Sequence, residues 1–198
     1  MSAPPARVPD RTSDRVVAIG VSAGAIHALS QILPALPAHY PFPVLVVVHV
    51  PRDRNALTTL FERKCSLPVR EADDKEPIAT GITIAPPDYH MLIESGRTIA
   101  LSGEEPVHFS RPSIDALFES AADALGPALI GVVLTGANED GAAGLKAIAA
   151  AGGTALVQDP ATAYAAAMPD AALKACPAAL KLDLDAIAAF LIEAGHRP

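Results

Sequence analysis

Short runs of wholly apolar residues recur along this chain and alternate with segments whose apolar residues have helical spacing. Strands that are apolar on both sides are typical of parallel sheets covered by helices on both faces. The apolar runs are residues 16–19, 44–48, 128–134 and 154–157. The helical segments are residues 25–36, 55–64, 113–125, 141–151 and 184–194. This order predicts a doubly wound α/β fold with a mostly parallel sheet and helices on both faces.

One region breaks the alternation. Apolar residues at 82–85 are followed by a second strand pattern over 91–101, which is interrupted by a Ser95-Gly96 turn. Two strand patterns around a short turn with glycine predict an antiparallel hairpin. The alanine-rich stretch 161–179 gives only weak element boundaries.

The length of the chain fits one domain. It has 198 residues, of which 51% are hydrophobic, enough to bury one substantial core. Residues 1–14 are rich in proline, serine and charge and show no periodicity, which predicts a disordered leader or linker remnant. The folded domain is predicted to cover residues 15–198.

Composition excludes several classes of function. The net charge of −7 gives no basic surface for nucleic acid. No apolar run approaches the roughly 20 residues that a membrane-spanning helix needs, and the start of the chain lacks the apolar centre of a secretory signal. Cys65 and Cys176 do not have the spacing of metal ligands. We therefore expect a cytoplasmic protein with reduced thiols and no structural zinc, neither inserted in a membrane nor bound to nucleic acid.

The first apolar strand runs into Gly20-Val21-Ser22-Ala23-Gly24 and then directly into a helix. G-x-S-x-G between a strand and a helix is the pattern of a nucleophile elbow, in which a sharp turn exposes the serine hydroxyl. The helix that follows directs backbone N–H groups and a partial positive charge toward the same point. Ser22 is therefore a candidate nucleophile.

A serine nucleophile needs a base, and the base needs a carboxylate to orient it. His49 directly follows the second apolar strand, and Asp140 lies in the loop between the long strand 128–134 and the next helix. Because the carboxyl ends of parallel strands meet at one edge of the sheet, we expect Ser22, His49 and Asp140 to converge there.

Other residues compete for these roles. His90 and His108 each adjoin a strand end or a helix start, Asp159 follows a strand as Asp140 does, and Glu139 is the neighbour of Asp140.

Each feature taken alone has a simpler interpretation. The Ser22 turn is also compatible with a plain tight turn or a phosphate cradle, His49 with a structural histidine, and Asp140 with a carboxylate favoured by the helix dipole. Nucleotide binding at this turn is disfavoured, because the chain lacks both G-x-G-x-x-G and a P-loop lysine. The conjunction of three complementary residue types at three strand ends favours catalysis.

Taken together, several segments in this order resemble the catalytic domain of the CheB family of chemoreceptor methylesterases, over nearly everything after residue 15. The segments are 20–24 (GVSAG), 48–51 (VHVP), 84–92 (IAPPDYHML), 110–118 (SRPSIDALF) and 134–144 (LTGANEDGAAG). The resemblance implies hydrolysis of glutamate γ-methyl esters on the cytoplasmic helices of methyl-accepting chemoreceptors, without a cofactor or metal, and in some members deamidation of receptor glutamines. It implies Ser22 as nucleophile, His49 as base and Asp140 as orienting acid.

The resemblance also implies substrate contacts and marks departures. Arg111 falls on the family's arginine in the Arg-Pro-Ser segment, where it would line the cleft and attract an acidic receptor surface; the alternative is a salt bridge at a helix start. Ala23, Ala25 and Ala137 stand where the family usually has threonine, glycine and methionine. Loss of the threonine hydroxyl at 23 removes a possible hydrogen bond to the histidine, and the smaller residue at 137 would reshape the oxyanion region; the resemblance places both Ala23 and Ala137 at the substrate site. Family members commonly carry an N-terminal receiver domain, for which this chain has no room, so we do not expect phosphorylation of this chain itself to regulate it.

Overall fold

A computed structural model of the chain describes residues 15–49 and 56–196. The strands are β1 Val16–Val21, β2 Val44–Val48, β3 Val69–Glu71, β4 Ile82–Ile84, β5 His90–Glu94, β6 Thr98–Ser102, β7 Leu129–Val133, β8 Thr154–Gln158 and β9 Leu180–Leu182. The helices are α1 Ala25–Ile32, α2 Ala56–Glu62, α3 Ile114–Leu125, α4 Ala142–Ala150, α5 Ala167–Ala175 and α6 Leu184–His196. The predicted leader, residues 1–14, lies outside the described residues, and the single domain over 15–198 stays a prediction.

Seven strands form one parallel sheet in the order β3-β4-β2-β1-β7-β8-β9. From the central strand β1 the chain passes to β2, then to the edge strand β3 and back to β4, which lies between β2 and β3. It then returns through the hairpin and α3 to β7 on the other side of β1. The direction of winding therefore reverses between β1 and β7. Ligand sites of open α/β sheets lie at this reversal, outside the carboxyl ends of the strands.

Both faces of the sheet are covered, because alternate strand residues point to opposite sides. On one face, alternate residues of β1 such as Val17 and Ile19 pack with α1, α2 and α6. On the other, Val16 and Ala18 pack with α3, α4, α5 and the hairpin. Every residue of β1, β2 and β7 is buried, which explains why these strands are apolar throughout. The predicted doubly wound fold is confirmed.

The predicted hairpin is also confirmed. Strands β5 and β6 pair in antiparallel fashion as a separate two-stranded sheet. It packs on α3, where the Ile93 N–H donates to the Ser120 hydroxyl at 3.1 Å. The preceding apolar run became β4, a parallel strand of the main sheet, paired with β2 and β3.

The edge strands β3 and β9 and the helix α5 were not predicted. Each edge strand has only three residues, and two of the three β9 residues are exposed, so neither carries a strong apolar pattern. Helix α5 falls in the alanine-rich stretch with weak boundaries. In the part of the chain that the structure describes, no helix has both the length and the apolar character needed to cross a bilayer.

Candidate active site

The G-x-S-x-G segment forms the turn between β1 and α1. Gly24 has a φ of 87°, a left-handed conformation that favours glycine, and it precedes the first residue of the helix. The Ala25 N–H donates to the Ser22 carbonyl at 3.0 Å, which closes the turn. Ser22 is half-buried at the carboxyl end of β1. Its position agrees with the elbow that the sequence predicts.

His49 lies beside Ser22 because their strands are neighbours. Val21 pairs with Val48, and the His49 N–H donates to the Val21 carbonyl at 3.1 Å. The next residues in register are Ser22 and His49, on strands about 4.8 Å apart. Within residues 15–49 and 56–196, no hydrogen bond joins the Ser22 hydroxyl to the imidazole.

His49 and Asp140 are in direct contact. The His49 Nε2 atom lies 2.8 Å from Oδ2 of Asp140, whose side chain is fully buried, while that of His49 is 9% exposed. A carboxylate accepts hydrogen bonds only, so Nε2 carries the proton and Nδ1 of the neutral ring keeps the lone pair. Nδ1 is therefore the nitrogen that can act as a base.

The carboxylate of Asp140 is held by the start of α3. Oδ1 accepts from the Ser113 hydroxyl at 2.9 Å and from the Asp115 N–H at 2.9 Å, and Oδ2 accepts from the Ile114 N–H at 2.7 Å. Burial disfavours the charged carboxylate, but the hydrogen bonds from His49, Asp115 and Ile114 outweigh it and lower the pKa of Asp140 below its usual value. Asp140 is therefore a permanent anion at neutral pH.

Two glycines let α3 come this close. A Cβ on Gly20 would lie 2.3 Å from Cγ2 of Ile114, and a Cβ on Gly141 would lie 2.7 Å from the same atom. Gly141 also needs its φ of 92°. The first glycine of the G-x-S-x-G segment thus makes room for α3, while Gly24 makes the sharp turn. Because Gly20 and Gly141 have no side chain, the N-terminus of α3 can come close enough to bind the Asp140 carboxylate.

Thr135, which follows β7, ties the elbow to the loop after β8. Its hydroxyl donates to the Ala23 carbonyl at 2.8 Å and accepts from the Ala165 N–H at 2.9 Å. Its own N–H donates to the buried Gln158 side chain at 2.9 Å. Tyr164, on the same loop, covers Gly24 and is 81% exposed. Sequence reasoning missed these residues, although Thr135 directly precedes Gly136 in the quoted segment.

The competing residues are bound elsewhere. His90 Nε2 lies 3.1 Å from the Glu105 carbonyl, and the His108 nitrogens lie 3.4 Å from Asp115 and 3.5 Å from Glu139. Asp159 accepts from the Ala161 N–H at 3.0 Å and lies 3.4 Å from Lys181. Two candidate histidine–carboxylate pairs are thus in contact, His108 with Glu139 at 3.5 Å and His49 with Asp140 at 2.8 Å, and the second contains the histidine whose strand is next to that of Ser22.

The three predicted substrate residues lie around this site in different settings. The Arg111 Nη1 atom donates to the carbonyls of Gly103 and Glu104 at 2.9 and 2.8 Å, so the guanidinium holds the loop after β6. Ala23 is half-buried and offers its carbonyl to Thr135, and Ala137 is exposed in the loop before Asp140. A role of these residues in substrate binding stays a prediction.

A second acid lies behind Asp140. Asp115 is 5% exposed and its Oδ1 accepts from the Gly144 N–H at 2.7 Å. Burial raises the pKa of Asp115 to about 6, against the opposing effect of the Gly144 N–H, and the charge on Asp140 adds to the rise. Asp115, Asp140 and His108 each place one potential metal-ligand atom within 4.8 Å of the others. The four hydrogen bonds to Asp140 already occupy its carboxylate, which disfavours a cation there.

A strained turn precedes α3. Val107 and Ser110 exchange both backbone hydrogen bonds, and the two residues between them, His108 and Phe109, have positive φ values of 48° and 61°. This conformation is uncommon for residues other than glycine. The Phe109 side chain is fully exposed and lines a cavity of about 400 Å³ together with Asn138 and Glu139, which precede Asp140. No pattern in the sequence predicted this turn.

A serine on a strand-to-helix turn, beside a histidine that is hydrogen-bonded to a buried carboxylate, is an arrangement typical of serine hydrolases. The CheB methylesterase family model matches residues 17–191. The crystal structure of the CheB methylesterase catalytic domain of Thermotoga maritima superposes with a TM-score of 0.86 at 30% identity, covering 90% of this chain and 97% of that one.

Relatives agree with this match. A chain from Leptospira interrogans is 47% identical over 178 residues, which are 89% of this chain and 92% of that one. The protein-glutamate methylesterase/protein-glutamine glutaminase of Symbiobacterium thermophilum is 40% identical over 162 residues, which are 81% of this chain and 45% of that one. The chain belongs to the CheB methylesterase family.

Proposed function

We propose that this chain hydrolyses the γ-methyl esters of glutamate side chains on chemoreceptors, with Ser22 as nucleophile, His49 as general base and Asp140 as the acid that orients the base. The observation that carries the proposal is the 2.8 Å contact between His49 and the fully buried Asp140, at the strand end next to Ser22. Family membership supplies the substrate class, because relatives are named protein-glutamate methylesterases.

The reaction follows from the atoms available. The Ser22 hydroxyl attacks the ester carbonyl while Nδ1 of His49 takes its proton, which gives a tetrahedral oxyanion. The C–O bond to the methoxy group then breaks, and His49 returns the proton so that methanol leaves. Water, deprotonated by His49, attacks the acyl-serine; the C–O bond to Ser22 then breaks, His49 returns the proton to the Ser22 oxygen, and the glutamate carboxylate leaves. Asp140 stabilises the imidazolium in both halves of the reaction.

The oxyanion needs donors on the nucleophile's side of the cleft. The first N–H groups of a helix have no partner within the helix, and α1 begins directly after the elbow. The backbone N–H groups of Ala23 and Gly24 are the proposed donors. Ala137 is exposed in the loop between β7 and Asp140, where its small side chain would leave room for the substrate.

The same chemistry extends to glutamine side chains. Acyl transfer from an amide releases ammonia instead of methanol and ends in the same glutamate product. The paired activity in the relatives' names supports this extension. The substrates would be helices on the cytoplasmic side of chemoreceptors, which requires the chain to work in the cytoplasm, with Arg111 near an acidic receptor surface.

The decisive experiment measures methanol release from receptor methylated with a radioactive methyl group. We expect Ser22→Ala to abolish release while the melting temperature is unchanged. Ser66→Ala, an exposed serine away from the cleft, is the matched control and should retain full activity. Ammonia release from a receptor with glutamine at the same positions tests the amide reaction.

A receptor-binding module with weakened catalysis is the second candidate, and the departures at Ala23 and Ala137 favour it. Equal methanol release by wild type and Ser22→Ala, together with retained receptor binding, would leave only that function.

A further inference from the structure

His90 is a buried histidine that the proposed reaction does not use. It is the first residue of β5, its exposure is 2%, and both ring nitrogens have partners. The Ser113 N–H donates to Nδ1 at 3.1 Å, so Nδ1 must be an acceptor without a proton. Nε2 therefore carries the hydrogen and donates to the Glu105 carbonyl at 3.1 Å. The contacts fix His90 as one neutral tautomer.

The partner of His90 is also a partner of Asp140. Ser113 is fully buried; its N–H goes to His90, and its hydroxyl donates to Oδ1 of Asp140 at 2.9 Å. The same hydroxyl caps α3 by accepting from the Ala116 N–H at 3.3 Å. A chain of hydrogen bonds thus runs from Glu105 through His90, Ser113 and Asp140 to His49.

No neighbouring residue can take the place of Ser113 in this series of hydrogen bonds. Its extended conformation, φ −107° and ψ 142°, turns its N–H away from the helix that its hydroxyl caps. That N–H is buried, and without the His90 acceptor it would lose its partner at a cost of about 1 to 3 kcal/mol. Rotation of residue 113 to find another acceptor would move the hydroxyl and the two following N–H groups that hold Asp140.

We infer that His90 is a positioning residue for the catalytic pair: its Nδ1 holds Ser113, and through Ser113 and the start of α3 it sets the place of the Asp140 carboxylate and so of His49. The inference rests on the proposed function for its kinetic consequence. The hydrogen-bond chain itself can be observed without turnover.

The test compares three substitutions. His90→Leu removes both hydrogen bonds. His90→Asn keeps an acceptor oxygen near the position of Nδ1, and His90→Gln keeps a donor near the position of Nε2. We expect kcat to fall about 10- to 100-fold in His90→Leu and in His90→Gln, with KM within about twofold, because misplacement of catalytic groups acts on the chemical step. We expect His90→Asn to recover most of kcat.

A double-mutant cycle with Ser113→Ala locates the route of the effect. Ser113→Ala removes the hydroxyl link to Asp140 but keeps the backbone N–H that donates to His90 and the two following N–H groups. If His90 acts through Ser113, His90→Leu should therefore lower kcat by a smaller factor in the Ser113→Ala background than in wild type. Additive losses would overturn the inference. A loss of kcat that only follows the folded fraction, equal in His90→Asn and His90→Leu, would also overturn it. Should His90→Leu fail to fold, a kcat for His90→Gln equal to or above that of His90→Asn is the contradicting result.

The low-field proton resonance of the His49–Asp140 hydrogen bond gives a readout without substrate. We expect it to shift in His90→Leu and to stay in place in His90→Asn. An unchanged resonance in His90→Leu would contradict the positioning role even if the chain hydrolyses no methyl ester. If the wild type hydrolyses no methyl ester but the resonance shifts in the His90 variants as expected, only the proposed function is refuted and the positioning role stands.

Discussion

The candidate site has two halves, the acid–base half with His49 and Asp140 and the nucleophile half with Ser22 and its turn. They differ in how many hydrogen bonds hold their side chains. Asp140 is fully buried and its two oxygens accept four hydrogen bonds, from His49, Ser113, Ile114 and Asp115. The hydroxyl of Ser22 has no hydrogen-bond partner among the described residues, although the backbone around it is fixed by the turn.

The difference assigns separate tasks to the two halves. A buried carboxylate must be fully hydrogen-bonded, because an unpaired charge in the interior is costly. A nucleophile must stay accessible, and its hydrogen bond to the base commonly tightens only when substrate is bound. In the proposed reaction, preorganisation therefore resides in the acid–base half, and the substrate would complete the nucleophile half.

Among the substitutions that test this difference between the two halves, Asp140→Asn is expected to have the largest effect. In either orientation the amide NH2 would face a backbone N–H that now donates to the carboxylate, that of Ile114 or that of Asp115. In both cases His49 would lose the negative charge that stabilises its imidazolium. We expect kcat to fall about 10⁴-fold, with a measurable loss in the free energy of unfolding. Asp159→Asn is the control, and comparable activity of both variants would show that the wrong carboxylate has been chosen.

Gly20→Ala should damage the acid–base half through packing. Its Cβ would lie 2.3 Å from Cγ2 of Ile114, whose N–H holds Asp140. We expect a loss of about 1 to 3 kcal/mol in the free energy of unfolding, measured by urea titration, and a clear fall in kcat. Gly103→Ala, with no atom within 4 Å of the new Cβ, should change neither quantity. Similar behaviour of the two variants would contradict this role of Gly20.

Asp115 lies next to the acid–base half, and its ionised side chain should lower the free energy of unfolding at neutral pH. Asp115→Asn tests this expectation. The native state keeps a proton on Asp115 up to about pH 6, whereas the unfolded chain loses it near 3.8. Stability due to this group is therefore present at low pH and falls as pH rises through that window. Asparagine keeps the acceptor for Gly144 and cannot ionise. We expect it to raise the free energy of unfolding by about 2 kcal/mol at pH 7.5 and by little at pH 4.

Asp123→Asn, an exposed position on the same helix, is the reference for Asp115→Asn. Equal pH dependence of the two variants would show that Asp115 titrates normally.

The smallest effect concerns the substrate side. Phe109 is fully exposed at a strained turn beside the loop that carries Asp140. Phe109→Ser should leave stability within about 0.5 kcal/mol and raise KM for methylated receptor a few-fold, with no change for a small methyl ester. Leu180→Ser, exposed on the edge strand β9, is the control. A matching KM change in that control would remove Phe109 from the substrate surface.

Much of this organisation could be predicted from the sequence. The buried strands β1, β2 and β7 are apolar throughout, because helices cover both sides of a parallel sheet, and their ends marked Ser22, His49 and Asp140 as candidates. The edge strands β3 and β9 could not be predicted, because three partly exposed residues are too few to show the alternating pattern of a strand. Arg111 could be placed in the cleft region by resemblance, but its contacts with the Gly103 and Glu104 carbonyls could not.

The alternation of elements follows from the amino-acid sequence alone, and so does the edge of the sheet at which polar side chains gather. Which histidine contacts which carboxylate depends on the tertiary structure. The sequence favoured His49 and left His90 and His108 as competitors near strand ends and helix starts, because local patterns fix the backbone and leave side-chain direction open. The choice depends on the close approach of α3, which two glycines far apart in the chain make possible by leaving room for Ile114.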